Sequence, residues 1–214
     1  MAIVIPECRA IYYPIPKVAN SSIRSALWLM FGDGSEPERP HRLPFQFVGK
    51  SGSLKFGDYF RFAFVRNPWD KLVSCYSEKI AKSPITNRWL KNGVYRGLAR
   101  YGERFGQFYA DMPFDEFVKN VCRIPDGRAD IHIRSQWRFV KARDAVWYAN
   151  RIFRFEDLNE QWAVVCSSLG KQIELPWCNK STRSGWREVY TKTVARMVAD
   201  RYEADITLFQ YKFD

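Results

Sequence analysis

The sequence predicts an α/β fold: a single layered domain over residues 1–214, with a mainly parallel central sheet flanked by helices. Three observations carry this. "YFRFAFV" (59–65) is a β-rich, continuously apolar run of the kind that is buried on both faces of a parallel sheet. Two strand candidates run straight into helical patterns, one after "AIYYPI" (10–15) and one after "FAFV". No repeat, low-complexity tract or break in composition divides the chain.

The elements follow in order. After the strand at 10–15 a helix starts near Ser21, with Ile23, Ala26, Leu27, Met30 and Phe31 at helical spacing. "GDGSEPERPHRLP" (32–44) is dense in turn formers and reads as a loop. After the strand at 59–65, Pro68 opens a second helix, at the position where its missing N–H costs nothing. Trp69, Leu72, Val73, Tyr76 and Ile80 form the inner face of that helix. Residues 82–112 are basic and aromatic with scattered glycines, and read as helical pieces and loops over the sheet edge. "PFDEFVKNVC" (113–122) is a short helix; 145–158 contains a third strand, with a helix from about Leu158. "NKSTRSGW" (179–186) is a polar loop. The last helix places Trp186, Val189, Tyr190, Val194, Met197 and Val198 on one face.

Composition narrows the partner class. Apolar residues make up 46% of the chain, which disfavours disorder, and 34 Lys and Arg against 23 Asp and Glu leave a net charge of +11. That surplus suits an anion: a nucleotide, a nucleic acid, a membrane surface or an acidic glycan. Cys8, Cys75, Cys122, Cys166 and Cys178 are odd in number and widely spaced, which argues against a disulfide framework or a zinc site and for thiols in a reducing compartment. No signal-peptide pattern and no apolar run of about 20 residues is present. The expectation is a cytoplasmic protein with no membrane span.

Ligands of open α/β sheets gather at the carboxyl ends of strands. The first junction, "IPKVANSSI" (15–23), has no glycine, so it is neither a Walker A loop nor a dinucleotide fingerprint. It offers Lys17, the hydroxyls of Ser21 and Ser22, and the N–H groups and dipole of a helix start. An Asn/Ser cap beside a surface lysine is the plainer alternative. In the second, "FAFVRNPWDKLVSCY" (62–76), Arg66 leaves the strand end and Ser74 lies two turns along the helix. A guanidinium grips phosphate in two-pronged fashion. Capping a carbonyl or pairing with Asp70 are its alternatives.

Together the two junctions resemble the PAPS-dependent sulfotransferases, PAPS being 3′-phosphoadenosine 5′-phosphosulfate. "IPKVANSSI" is similar to their P-loop-like 5′-phosphosulfate turn, and "FAFVRNPWDKLVSCY" to their RNPxxRLxSxY 3′-phosphate motif. The nearest branch is the carbohydrate sulfotransferases of the chondroitin, dermatan and HNK-1 type. Its histidine–glutamine segment is matched by "ADIHIRSQW" (129–137), its strand ending by "RFEDL" (154–158), and its C-terminal pattern is echoed in "NKSTRSGWREVY" and "RYEADITLFQY". Lys71 stands where the motif has arginine, a mild change if it only packs or meets solvent. "HIRSQ" (132–136) replaces HWxPQ. The animal enzymes' anchor and stem have no counterpart, which implies a soluble, minimal version.

The resemblance implies sulfuryl transfer from PAPS, which leaves as PAP, to an acceptor hydroxyl, most naturally on a carbohydrate, without metal. Lys17 is then the electrophilic stabiliser. Val18, Ala19, Asn20, Ser21 and Ser22 complete the 5′ cradle, Arg66 and Ser74 take the 3′-phosphate, and Lys180 and Arg183 close over the phosphates. By that assignment Lys17 matters most to rate and Arg66 to nucleotide binding. A hydroxyl acceptor needs a base. The two histidines are candidates: His41, between the cofactor motifs, and His132; Glu78 is a third. Two rivals remain. A P-loop-type phosphotransferase would want GxxxxGK[ST], which is absent. A basic nucleic-acid- or polyanion-binding module would want a reader motif, and none is found.

Overall fold

The structure, a computed structural model, describes residues 1–80, 90–91, 94–101, 105–142, 144–176 and 185–213. The chain forms two compact units, Met1–Arg66 with Gln136–Thr182, and Asn67–Ser135 with Arg183–Asp214. Its strands are β1 (Ala2–Ile5), β2 (Ala10–Tyr12), β3 (Gln46–Val48), β4 (Phe60–Val65), β5 (Leu90–Lys91), β6 (Val94–Tyr95) and β7 (Arg151–Arg154). Among the described residues no helix is long and apolar enough to cross a membrane.

The first unit is built on a five-stranded sheet in the order β3-β1-β2-β4-β7. β2, β4 and β7 run parallel, with Tyr12 opposite Phe62 and Val65 opposite Arg154. β1 pairs antiparallel with both β2 and β3. The sheet is therefore mixed, where the sequence pointed to a mainly parallel one. The antiparallel edge comes from two strands that the pattern did not reveal. β1 is four buried apolar residues with no alternation, and it turns back at once through Pro6–Cys8, with Arg9 left-handed at φ 51. β3 is three residues long and leads out of the loop. The parallel strands have the expected continuous apolar character: Phe62, Ala63, Phe64 and Val65 are all buried. Stacked Tyr12 and Phe62 rings, 5.2 Å apart, tie β2 to β4.

Helix α1 (Asn20–Phe31) follows β2, and Ile23, Ala26 and Leu27 are fully buried as the periodicity required. Lys171 donates to the Met30 carbonyl and lies 4.7 Å from the Phe31 ring centroid, so a cation closes the negative end of the helix. A helix at Leu158–Leu169 follows β7 and ends at left-handed Gly170.

Among its described residues the second unit is helical, apart from the two-residue β5–β6 ladder. Helix α2 (Pro68–Lys79) starts at the expected proline and is capped by Asn67, whose side chain accepts from the Trp69 N–H. It lies in this unit with Phe114–Arg123, Lys192–Arg201 and Glu203–Phe209. The last helix starts later than the periodicity suggested. Trp186–Val189 is a separate 3-10 turn, and Thr191 caps the following helix by accepting from Val194. Trp186 and Tyr190 instead join an aromatic cluster, with the Tyr190 ring 5.0 Å from Phe114 and 5.5 Å from Phe213. The Tyr190 hydroxyl donates to the Trp69 carbonyl at 2.9 Å.

Lys71 neither meets solvent nor merely packs. It is 3% exposed, and its Nζ donates to the carbonyls of His132 (3.0 Å) and Arg134 (3.1 Å). Burial pushes its amine down to about 8 from 10.5, against the opposing pull of Asp205. The unfolded chain thus holds this proton at pH values where the folded chain has released it. Stability gains from Lys71 as pH rises from about 8 to 10.5 and loses that gain on the way back down. Lys71→Met is expected to remove this rise. Denaturant titrations of both proteins at pH 7.5, 9 and 10 check it: the difference in unfolding free energy between wild type and variant should change across that range.

Candidate active site

The parallel strands β2, β4 and β7 end side by side, and each releases a candidate segment at its carboxyl end: 13–19, Arg66 and Phe155–Asp157. All three lie in the first unit.

The turn after β2 does without glycine by forcing two ordinary residues into glycine's conformation. Lys17 has φ 70 and Ala19 φ 46, both left-handed. Such a position costs about 1–3 kcal/mol for a residue with a Cβ, and clusters where a ligand is clamped. Ala19 is the N-cap of α1 and gives no side-chain hydrogen bond to the helix start. The alternative of an Asn/Ser cap is therefore not formed; Asn20, Ser21 and Ser22 belong to the first turn itself. A first turn without a side-chain cap presents backbone donors and a positive dipole end to an anion. Val18 is fully buried and anchors the turn, while Lys17 and Ser21 are partly exposed. The Tyr12 hydroxyl donates to the Asn20 side chain at 3.5 Å.

Arg66 is held from three sides. Gln136, fully buried, accepts from the Arg66 N–H at 2.9 Å and donates to the Arg66 carbonyl at 2.7 Å. A glutamine amide matches a backbone peptide in donor and acceptor, so it continues the ladder where β4 stops. The guanidinium lies 4.1 Å from the Phe155 ring centroid, and its Nη1 donates to the Lys17 carbonyl at 3.0 Å. One alternative for Arg66, a carbonyl contact, is thus realised, and on the left-handed lysine of the other motif. In the sequence Gln136 figures only within a resemblance and Phe155 has no assigned role; strand-end adjacency of 66, 136 and 155 has no local sequence signal.

His41 is brought to the same turn. It lies in the 3-10 turn Pro40–Arg42, and its Nε2 is 3.0 Å from the Ser21 Oγ. His132 and Ser74 belong to the second unit. Asp130 Oδ1 stands 2.6 Å from His132 Nδ1 and accepts from the His132 N–H at 2.9 Å. Burial holds the imidazole below its ordinary value, against the pull of Asp130. Ser74 is buried on α2. Glu78, on the same helix, lies 2.6 Å from the Lys79 Nζ. Lys180 and Arg183 lie outside the described residues.

The sequence model of the sulfotransferase family matches residues 1–212. Carbohydrate sulfotransferase 10 of Xenopus laevis is 23% identical over 232 residues, 95% of this chain and 65% of its own length. Carbohydrate sulfotransferase 11 of Mus musculus is 22% identical over 244 residues, 98% of this chain and 66% of its own. The chain thus spans just under two-thirds of the length of these relatives. No solved structure matches it.

Proposed function

The chain belongs to the sulfotransferase family, and from that premise we propose that it moves a sulfuryl group from PAPS to a hydroxyl, with carbohydrate as the acceptor class. The observation that carries this is the bond from Arg66 to the Lys17 carbonyl, which joins the two anion-binding junctions in one place. The helix start without a side-chain cap and the two cations fit a nucleotide that is anionic at both its 5′ and 3′ ends. We read both units as parts of one sulfotransferase domain, because a single family match runs through them. The curated relatives' names supply the carbohydrate class. A cytoplasmic placement rests on Cys8, Cys122 and Cys166, which are free thiols, with burial pushing the first two up to about 11.

PAPS supplies an activated sulfuryl group. The residues do the rest. The N–H groups of the α1 start, with Ser21 and Ser22, hold the 5′ end, and Lys17 neutralises charge on the bridging oxygen as the S–O bond to PAP breaks. Arg66 takes the 3′-phosphate; the resemblance assigns Ser74 to the same phosphate, and Lys180 and Arg183, outside the described residues, to phosphate contacts. His41 removes the acceptor's proton as its oxygen bonds to sulfur. His132 is the second candidate for that step, favoured by its Asp130 partner: a proton on Nδ1 donated to Asp130 leaves Nε2 as the acceptor. The rival phosphotransferase and polyanion-binding readings gain no comparable support from the family match.

Calorimetric titration tests the donor site. Binding of 3′,5′-ADP at least tenfold tighter than 5′-AMP is expected. Equal or absent binding of the two would overturn the assignment.

A further inference from the structure

Helix α1 does more than start the phosphosulfate cradle. Three residues on one face of it, Ser21, Arg24 and Trp28, contact successive parts of the segment 40–45. The Ser21 hydroxyl meets the His41 ring at 3.0 Å, and the Trp28 ring meets Phe45 edge-on at 5.7 Å. Between them Arg24 donates from Nε to the Pro40 carbonyl at 2.7 Å and from Nη2 to the His41 carbonyl at 3.4 Å. Its guanidinium also lies 5.7 Å from the ring centroids of both Phe45 and Phe47. The segment thus folds around one cation.

That cation is expensive to place there. Arg24 is 6% exposed, and the partners of its guanidinium are backbone carbonyls and aromatic rings. Burial accordingly lowers its affinity for its proton. A buried charge balanced by two carbonyls and two ring faces is a costly way to pack a loop, because an aliphatic side chain would fill the space without a desolvation penalty. What a guanidinium adds is geometry: directed donors that fix the carbonyls of Pro40 and His41 at set distances from the helix.

We propose that Arg24 is a positioning residue that fixes His41 against the donor cradle, so that one rigid helix sets the distance between base and sulfuryl donor. This rests on the reading of His41 as the base. Arg24 lies one turn past Ser21, on the side of α1 that meets the 40–45 segment, so movement of the loop is movement of the base.

The chain has only two histidines, so imidazole NMR yields two resonance sets, assigned with His41→Ala and His132→Ala. In the wild type, 3′,5′-ADP should shift the His41 set. In Arg24→Met the nucleotide should bind within about threefold of wild type, yet the His41 set should no longer respond. Transfer from PAPS to desulfated chondroitin, the probe acceptor, should fall about 100-fold in kcat, the loss expected of a displaced catalytic group. The Arg24→Met/His41→Ala double variant should be no slower than His41→Ala alone. Arg24→Lys, which keeps the charge and a donor, should recover part of the response and serves if Arg24→Met does not fold. An unchanged His41 response, nucleotide affinity falling in step with kcat, or additive losses in the double variant would each overturn the proposal. A His41→Ala variant with wild-type kcat would instead remove His41 as the base, while the NMR response still decides whether Arg24 positions it.

Discussion

Lys17→Ala is expected to lower kcat for sulfuryl transfer by about 10²–10³-fold, the usual loss when a single stabiliser of developing charge is removed. The dissociation constant of 3′,5′-ADP should stay within about threefold of wild type. The asymmetry follows from when the charge appears. The bridging oxygen carries little extra negative charge in the bound donor and much more as the S–O bond breaks, so an ammonium there acts mainly in the transition state. Alanine suits the test because it retains a Cβ and so leaves the left-handed strain at φ 70 in place. Single-turnover rates with PAPS, set beside calorimetry with 3′,5′-ADP, separate the two quantities. Parallel losses in rate and affinity would make Lys17 a ground-state phosphate ligand and remove its catalytic assignment.

Arg66→Ala should weaken 3′,5′-ADP binding by roughly 10–150-fold, the equivalent of about 1.5–3 kcal/mol for a charge-assisted hydrogen bond, and bring its affinity towards that of 5′-AMP. The sequence assigned Arg66 to binding and Lys17 to rate. The structure couples them, because Nη1 of Arg66 holds the Lys17 carbonyl at 3.0 Å. Loss of the guanidinium leaves a left-handed lysine without that restraint, so kcat should fall as well. The Lys17→Ala/Arg66→Ala double variant should then lose less rate than the sum of the single changes, in free-energy terms. Additive losses would separate the two residues again and leave the 3.0 Å bond without catalytic consequence. Arg66→Lys should restore little, since an ammonium cannot donate along the same directions while stacked on Phe155.

Particular residues show why parts of the site were legible. The α2 start was readable because proline at N1 and a capping asparagine act locally, and the helix does run Pro68–Lys79. The α1 face was readable from its 3.6-residue period. Ala19 was not: its left-handed φ is imposed by the turn, and alanine carries no local preference for it. Gln136 lies 70 residues from the backbone it brackets, and glutamine in a short polar run looks like surface. Nothing local marks Lys71 as buried, because the two carbonyls that hold it come from residues 132 and 134.

The strand-to-helix junctions, the helix periodicities, the basic charge and the two motifs that resemble sulfotransferase phosphate sites can all be read from the chain of residues. These depend on side-chain spacing and on residues within a few positions of one another. The antiparallel edge of the sheet, the hold of Arg66 on the Lys17 carbonyl, the fixing of Arg66 by Gln136 and Phe155, and the anchoring of the His41 loop by Arg24 emerge only in the folded chain. Each of these is a contact between segments far apart in the chain. Strand order and helix packing create such contacts, and the local preferences of the residues involved are compatible with many other arrangements.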